Sequence, residues 1–356
     1  MVSRDRINRI IDGYDKDNLV IATACSHTSL QIFDGARKEG FKTLGIAISQ
    51  KTKFYDAFPR GKPDEFLFVD SYTELLDREE ELTKKNVILV PHGSFVEYMT
   101  PKSFEALEVP TFGNRHVLEW ESDRDKERTW LTSAGLEMPH KIEDPKMIDR
   151  PVLVKYDGAK GGRGFFIAKD YPDFKLGIDH NQKFSIQEYI LGTRYYIHFF
   201  YSPIRKDGYH LSKGVLELMS MDRRDESNID EMYKLGGQEE LKKLGHYPTF
   251  VVTGNVPVVV RESLLPKLLE LGERAIERSL ELFGGMIGPF CLECIVTDSL
   301  AVKVFEISSR IVAGTNPFIS GSPYSDLLEP GVSTGRRIAQ EIKFAKEHNQ
   351  LKEVLS

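Results

Sequence analysis

The chain has 356 residues, 40% hydrophobic and 29% charged, a balance that fits a soluble globular protein with material for two or three domains. Its formal charge of -6 argues against nucleic acid as the main partner. No apolar run approaches the ~18 residues of a spanning helix, and the cysteines, Cys25, Cys291 and Cys294, are few and odd in number. A cytoplasmic protein without membrane or nucleic-acid partners is expected.

Met1 to Asp12 alternates charge with Ile7, Ile10 and Ile11, which predicts an amphipathic helix with Ser3 as its N-cap. Leu19 to Ala24, Phe41 to Ile48, Glu65 to Val69 and Val87 to Val90 read as strands, with helices over Leu30 to Glu39 and Thr73 to Lys84. Alternation of this kind implies a small doubly wound parallel sheet, with ligands at the carboxyl ends of its strands. The polar turns Ser26 to Ser29 and His92-Gly93-Ser94 lie at that edge. A helix over Ser122 to Ala134 closes at Gly135.

Val152 to Ile167 reads as a hairpin: an apolar run ending in Lys155, a tip rich in glycine that includes Gly161 and Gly162, and a second apolar run. Glycines let backbone N–H groups approach a polyphosphate, and a lysine at a strand end supplies a point charge. The order excludes both a Walker A loop and a Rossmann fingerprint, since a strand follows the glycines. Such a tip is expected to be mobile until phosphate binds.

Beyond Pro151 the runs Phe184 to Tyr189, Tyr195 to Tyr201, Val215 to Met221, Thr249 to Thr253, Phe290 to Val296 and Ala301 to Ile307 predict a large, mostly antiparallel sheet. A long helix is expected over Arg261 to Phe283, and another over Gly335 to Glu347. Asn228 to Tyr247 is the expected mobile insertion. Cys291 and Cys294 match C-x-x-C, but an offset of three in a strand puts the sulfurs on opposite faces and no partner pair exists for zinc.

Glu293 and Glu306 stand out as carboxylates inside apolar strands. If Asp298-Ser299 is a two-residue turn, Glu293 lies opposite Val304 and Glu306 is its diagonal neighbour on the same face. A divalent cation can bridge such a pair; two solvent-facing glutamates are the plain alternative. Arg310 follows closely and could hold a transferring phosphoryl group or an acyl phosphate. Glu188-Tyr189-Ile190, at the end of a strand and before Gly192, can present backbone groups to an adenine edge.

The order of these features, behind a small parallel domain, resembles the ATP-grasp superfamily. The resemblance implies an α/β fold, with an N-terminal Rossmann-like domain over residues 1–118. An α+β, antiparallel-sheet ATP-grasp domain would follow over 119–356, with a phosphate-loop subdomain at about 140–200 and the metal-binding sheet and C-terminal helices at about 201–356. It implies ATP on Lys155, Gly161, Gly162 and Glu188 to Ile190, and Mg2+ or Mn2+ on Glu293 and Glu306. The superfamily's early phosphate-binding lysine falls at Arg124 or Lys126, and Ser308 stands where an asparagine is usual.

Nearly the whole chain resembles a narrower group, the archaeal formate-dependent 5-formaminoimidazole-4-carboxamide ribonucleotide synthetases. The likeness rests on Ala24 to Leu30, Pro91 to Phe95, Phe112 to Arg115, Trp120 to Arg124, Thr253 to Pro257, Arg261 to Leu265, Gly288 to Leu292 and Phe305 to Arg310. It implies formylation of aminoimidazolecarboxamide ribonucleotide (AICAR) to FAICAR through formyl phosphate, with formate and ATP consumed in purine biosynthesis. His27, Ser94 and Asn255 would touch the ribonucleotide, Lys155 and Arg310 would be catalytic, and a homo-oligomer is expected. Asp225, where the family has an aromatic residue, and the segment Lys234 to Leu244 depart from its pattern. A paralogous ligase acting on another amine and a non-catalytic nucleotide-binding protein therefore stay open.

Overall fold

A computed structural model describes residues 2–48, 50, 52–156, 165–227, 241, 243–244, 249 and 251–356. The opening segment forms α1 (Arg4–Asp12); Ser3 accepts the Arg6 N–H as expected, and Ile7 and Ile11 are buried. β1 (Val20–Ala24), β2 (Lys42–Ala47), β3 (Glu65–Phe68) and β4 (Val87–Leu89) pair in parallel in the order β3-β2-β1-β4. The crossover helix α2 (Ser29–Lys38) follows β1.

Two expected helices are broken. Thr73 to Lys84 is a 3-10 turn over Tyr72–Asp77 followed by α3 (Glu79–Lys84). After α4 (Gly93–Tyr98) and α5 (Pro101–Ala106), the segment expected over Ser122 to Ala134 divides into α6 (Val117–Ser122) and α7 (Arg124–Ser133). The break falls at Asp123, whose carboxylate accepts the Asp125 and Lys126 N–H groups. An aspartate competes for backbone donors and so starts a helix more readily than it continues one.

β5 (Val152–Tyr156), β6 (Phe165–Ala168) and β7 (Phe184–Glu188) form an antiparallel sheet ordered β6-β5-β7, and α8 (Tyr171–Gly177) adds Phe174 to its core. The run Phe184 to Tyr189, expected in the large sheet, belongs here instead. Gly161 and Gly162 lie outside the described residues, as does most of the insertion expected at Asn228 to Tyr247.

The large sheet comprises β8 (Thr193–Ser202), β9 (Tyr209–His210), β10 (Val215–Glu226), β11 (Val252–Pro257), β12 (Gly288–Val296) and β13 (Val302–Ser308). Its order is β11-β10-β8-β12-β13, with β9 pairing β10. α9 (Leu265–Phe283) buries Leu268, Leu271 and Ile276 in the main core. Cys291 and Cys294 are buried and unbonded; one packs with Tyr196 and Val312, the other joins the main core, so their sulfurs part as strand geometry requires. α10 (Thr334–Glu347) and α11 (Leu351–Val354) end the chain. α10 returns to α2 at a glycine–glycine contact. A Cβ on Gly35 would lie 2.3 Å from Arg336 N, and one on Gly335 2.4 Å from Gln31 O. Among the described residues no helix is long and apolar enough to cross a membrane.

The turn joining β12 and β13 differs from the expected one. Thr297 N–H donates to Ala301 O at 2.9 Å and Leu300 N–H to Thr297 O at 3.0 Å, which closes a three-residue loop over Asp298, Ser299 and Leu300. Continued without interruption, that register would put Glu293 and Glu306 on opposite faces. A bulge at Phe305 restores the parity: Cys294 pairs with Val304, whereas Glu293 pairs directly with Glu306. The carboxylates share a face, as expected, but as direct neighbours and through a longer turn plus a bulge.

Leu300 takes the left-handed position of this loop with φ 61°. A Cβ there costs about 1–2 kcal/mol, part of which glycine regains before its own entropic cost. Leu300→Gly is therefore expected to raise unfolding free energy by roughly 0.5–1 kcal/mol in urea melts; a lower midpoint would show that the Leu300 side chain matters more than the backbone.

Candidate active site

Lys155 is the penultimate residue of β5 and Glu188 the last of β7, and both line, with residues of the large sheet, a cavity of about 470 Å³. Arg124, Tyr189, Ile190, Arg194, Arg224, Glu226, Glu293 and Glu306 line the same cavity. Of the two positions open for the early cation, Arg124 faces this space. Lys126 is instead ion-paired with Glu119, beside the Trp120 ring. Burial, and next Arg124, lower the Lys155 pKa, while Glu306 opposes them. The ammonium thus sits where charge is poorly solvated and a polyanion would be welcome.

Glu293 is buried, and its Oε1 accepts from Arg224 Nη2 at 3.0 Å and from Ser308 Oγ at 3.5 Å. Glu306 is pushed above the ordinary carboxylate range, first by the Glu293 charge opposite it and then by burial. Two hard oxygen donors that repel, Glu293 buried and Glu306 open to the cavity, suit Mg2+ or Mn2+, which would leave its remaining positions to phosphate oxygens and water. No group of three or more His, Cys, Asp or Glu side chains converges as a metal cage among the described residues. The edge strand is held from outside by acids on the preceding helices. Glu127 Oε1 accepts the Ile307 N–H at 2.7 Å, and Glu121 Oε2 accepts the Ser309 N–H at 2.9 Å. Burial, then Glu306, raises Glu127 to about 9, so it stands protonated at neutral pH.

Beyond β13 the chain reaches a second polar group at the carboxyl edge of the parallel sheet. Arg310 Nη2 is 2.7 Å from Glu121 Oε1, and its Nε is buried with no protein partner. A Cβ built on Gly93 would be 3.4 Å from His27 Nε2 and 3.8 Å from Arg310 Cζ, ordinary contact distances that place both side chains beside this turn. His92 Nε2 donates to Ala24 O at 2.9 Å, and its Nδ1 accepts the Ser94 N–H at 3.2 Å, which fixes a neutral tautomer. Burial lowers its pKa to about 3 in agreement. Ser94 is fully buried and its Oγ also lacks a partner. Burial, then Arg310, lowers the His27 pKa as well.

Asn255 is more distant in the network. Its Nδ2 donates to Asp222 Oδ2 at 2.7 Å, and Asp222 Oδ1 is 2.7 Å from His198 Nε2. The 3-10 segment Ala313–Phe318 links this group to His27: Gly314 packs on Asp222 and His198, and Asn316 Nδ2 donates to His27 O at 3.0 Å.

Sequence reasoning missed Arg224, Glu226, Asp222, Glu121 and Glu127. The charges at 222, 224 and 226 repeat every second residue in β10, a strand-parity signal for one functional face. Nothing local marks Glu121 or Glu127, whose partners lie 188 and 180 residues away.

A family profile described as "Domain of unknown function (DUF1297)" matches residues 176–356, and one described as "Protein of unknown function (DUF1246)" matches 21–142. A 5-formaminoimidazole-4-carboxamide-1-(beta)-D-ribofuranosyl 5'-monophosphate synthetase of Methanococcoides burtonii is 63% identical over 356 residues, 100% of each chain. The protein of that name from Methanocaldococcus jannaschii is 42% identical over 373 residues, again 100% of each. The crystal structure of PurP, an IMP biosynthesis protein from Thermococcus kodakaraensis, superposes with a TM-score of 0.72 at 30% identity, over 94% of this chain and 100% of that one. The ADP complex of purK, an N5-carboxyaminoimidazole ribonucleotide synthetase, gives 0.65 at 12% identity over 91% and 76%, a likeness of fold. With the expected ATP-grasp architecture in place and identity this high along its whole length, the chain belongs to the 5-formaminoimidazole-4-carboxamide-1-(beta)-D-ribofuranosyl 5'-monophosphate synthetase family.

Proposed function

We propose that this chain formylates AICAR to FAICAR with formate and ATP, releasing ADP and phosphate, as an ADP-forming carbon–nitrogen ligase of purine biosynthesis. The observation that carries the reading is the course of β13 and the residues after it. Glu306 faces the cavity that holds Lys155, and four residues later Arg310 lies beside Gly93 together with His27. One short segment therefore joins a polyphosphate-type cavity to a second polar site. A reaction through formyl phosphate needs that continuity, because the intermediate would hydrolyse if released.

In this reading Lys155 and Arg124 neutralise the ATP phosphates, aided by the amides of Gly161 and Gly162. Glu188 N–H and Tyr189 N–H already donate to His140 O and Pro151 O, so we assign the Ile190 N–H to the adenine edge. A divalent cation on Glu293 and Glu306 would supply Lewis-acid neutralisation of the phosphates. A formate oxygen attacks the γ-phosphorus and ADP leaves. The AICAR amine then attacks the formyl carbon, phosphate departs and the nitrogen loses its proton. Arg310, through its unpartnered Nε, is placed to meet the developing oxyanion and the leaving phosphate. His27, Ser94 and Asn255 position AICAR. The working setting is a cytoplasmic homo-oligomer. Asp225, one of the two departures from the family pattern, has an exposed side chain and pairs with Gly254, the neighbour of Asn255, so a comparison of amines is the test of a paralogous activity.

His27→Ala is expected to raise the apparent KM for AICAR about tenfold, the scale of one lost polar contact in a closed site, and to leave the KM for ATP near wild type. Steady-state kinetics with each substrate varied would show it; a selective loss of ATP affinity would reverse the assignment of the two sites. The reading as a whole is tested by ADP release with ATP, Mg2+, formate and AICAR, each omitted in turn. Release should require all four. Release that ignores formate or AICAR would refute it, and a different amine with a higher kcat/KM would make the chain a paralogue.

A further inference from the structure

Arg224 takes no part in the scheme above, yet it makes the direct ionic contact to Glu293. Its Nη2 lies 3.0 Å from Glu293 Oε1, and its guanidinium carbon 3.6 Å from the centre of the Tyr196 ring. The side chain is largely buried and lines the same cavity as Lys155 and Arg124. Glu293 and Glu306 are paired across two strands. Without a metal ion, two facing carboxylates in such a place need a cation, and Arg224 provides one.

We propose that Arg224 is an exchangeable counter-ion: it neutralises Glu293 while the site lacks its divalent cation, yields that carboxylate when the cation binds, and turns to the terminal phosphoryl oxygens of the nucleotide. The inference rests on the reading of Glu293 and Glu306 as the metal carboxylates. An arginine cannot discharge itself by losing a proton. A divalent cation on Glu293 therefore repels the guanidinium, and the nearby anions that can receive it are phosphate oxygens, which accept a planar fork of N–H donors well. The Tyr196 ring makes the exchange cheap. A guanidinium can slide over an aromatic face and keep much of its stabilisation, whereas a hydrogen bond to one oxygen would be lost outright. The same residue thus keeps the empty site folded and supplies charge to the loaded one.

The test measures binding of Mn2+ alone by electron paramagnetic resonance, then of ADP and a non-hydrolysable ATP analogue with Mn2+ saturating, in the full chain. Arg224→Gln keeps an N–H donor for Glu293 but removes the competing charge. It should bind Mn2+ roughly tenfold more tightly than wild type, and should lose affinity for the ATP analogue but not for ADP. Arg224→Lys, which restores the charge, should return Mn2+ affinity toward wild type. Mn2+ binding that is unchanged or weaker in Arg224→Gln, or equal losses for the two nucleotides, would overturn the exchange and leave Arg224 as a fixed prop. Glu306→Gln separates the two levels. If it leaves Mn2+ binding intact, the metal site itself is misassigned; if it abolishes binding while Arg224→Gln changes nothing, only this inference fails.

Discussion

Lys155→Ala should lower kcat by about 30- to 1,000-fold, a loss of ~2–4 kcal/mol in transition-state stabilisation, with little change in the KM for AICAR. Lys155 lies one residue before the end of β5, in the cavity with Arg124 and Glu306. In phosphoryl transfer, charge spreads over the oxygens of the transferred group, and an ammonium in a poorly solvated site meets that charge far more strongly than water would. A second measurement distinguishes this from simple disruption. Burial and Arg124 lower the Lys155 pKa in the folded chain, so at neutral pH its charged form opposes folding. Lys155→Ala should therefore leave Tm unchanged or slightly higher while kcat collapses, the trade expected of a residue kept for function. A fall in Tm with a modest loss of kcat would mark it as structural.

Arg310→Met should cost roughly 3–5 kcal/mol of stability at neutral pH, the scale for breaking one side of a buried ion pair. Its partner Glu121 is buried and 2.7 Å away. Burial already raises the Glu121 pKa, with Arg310 foremost among the groups that oppose the rise. Without Arg310 the folded-state pKa rises further above the unfolded value. A carboxyl with a raised folded pKa favours folding below the unfolded value, near 4.3, and loses that contribution as pH climbs toward the folded pKa. The deficit of Arg310→Met should thus be small in acid, grow as pH rises and then level off. Adding Glu121→Gln should restore much of the stability, because the uncompensated charge is gone, but not the turnover, because the amide cannot replace Arg310 at the oxyanion. Chemical denaturation from pH 4 to 8 with parallel kcat measurements would show this. A deficit that shrinks as pH rises would mean that Glu121 is not the buried charge responsible.

Much of the fold is legible locally. The parallel strands are short apolar runs between polar turns, Ser3 caps the first helix, and C-x-x-C in a strand parts its sulfurs. Lys155, Glu293, Glu306 and Arg310 are conspicuous because a charge interrupting or ending an apolar strand is costly unless it is used. The helix breaks were less legible: Asp123 sits within a helical pattern, and its preference for capping shows only when the Asp125 and Lys126 amides need a partner.

Periodicity and turn chemistry act over a few residues, and they are enough to set which residue types stand at the ends and interiors of which strands. Where those side chains point depends on contacts made across the whole chain. A two-residue turn at Asp298-Ser299 gives the right face for Glu293 and Glu306 by the wrong route; the loop is one residue longer, which alone would separate them, and the bulge at Phe305 brings them back. That bulge lies on an edge strand whose outward amides are satisfied from elsewhere in the chain: Val304 N–H by Glu137 O at 2.8 Å, Ile307 N–H by Glu127 and Ser309 N–H by Glu121. Register along an edge is a sum of small local preferences that one residue's slip reverses. Partners more than a hundred residues away set it here, so no window of sequence around the two glutamates contains the answer.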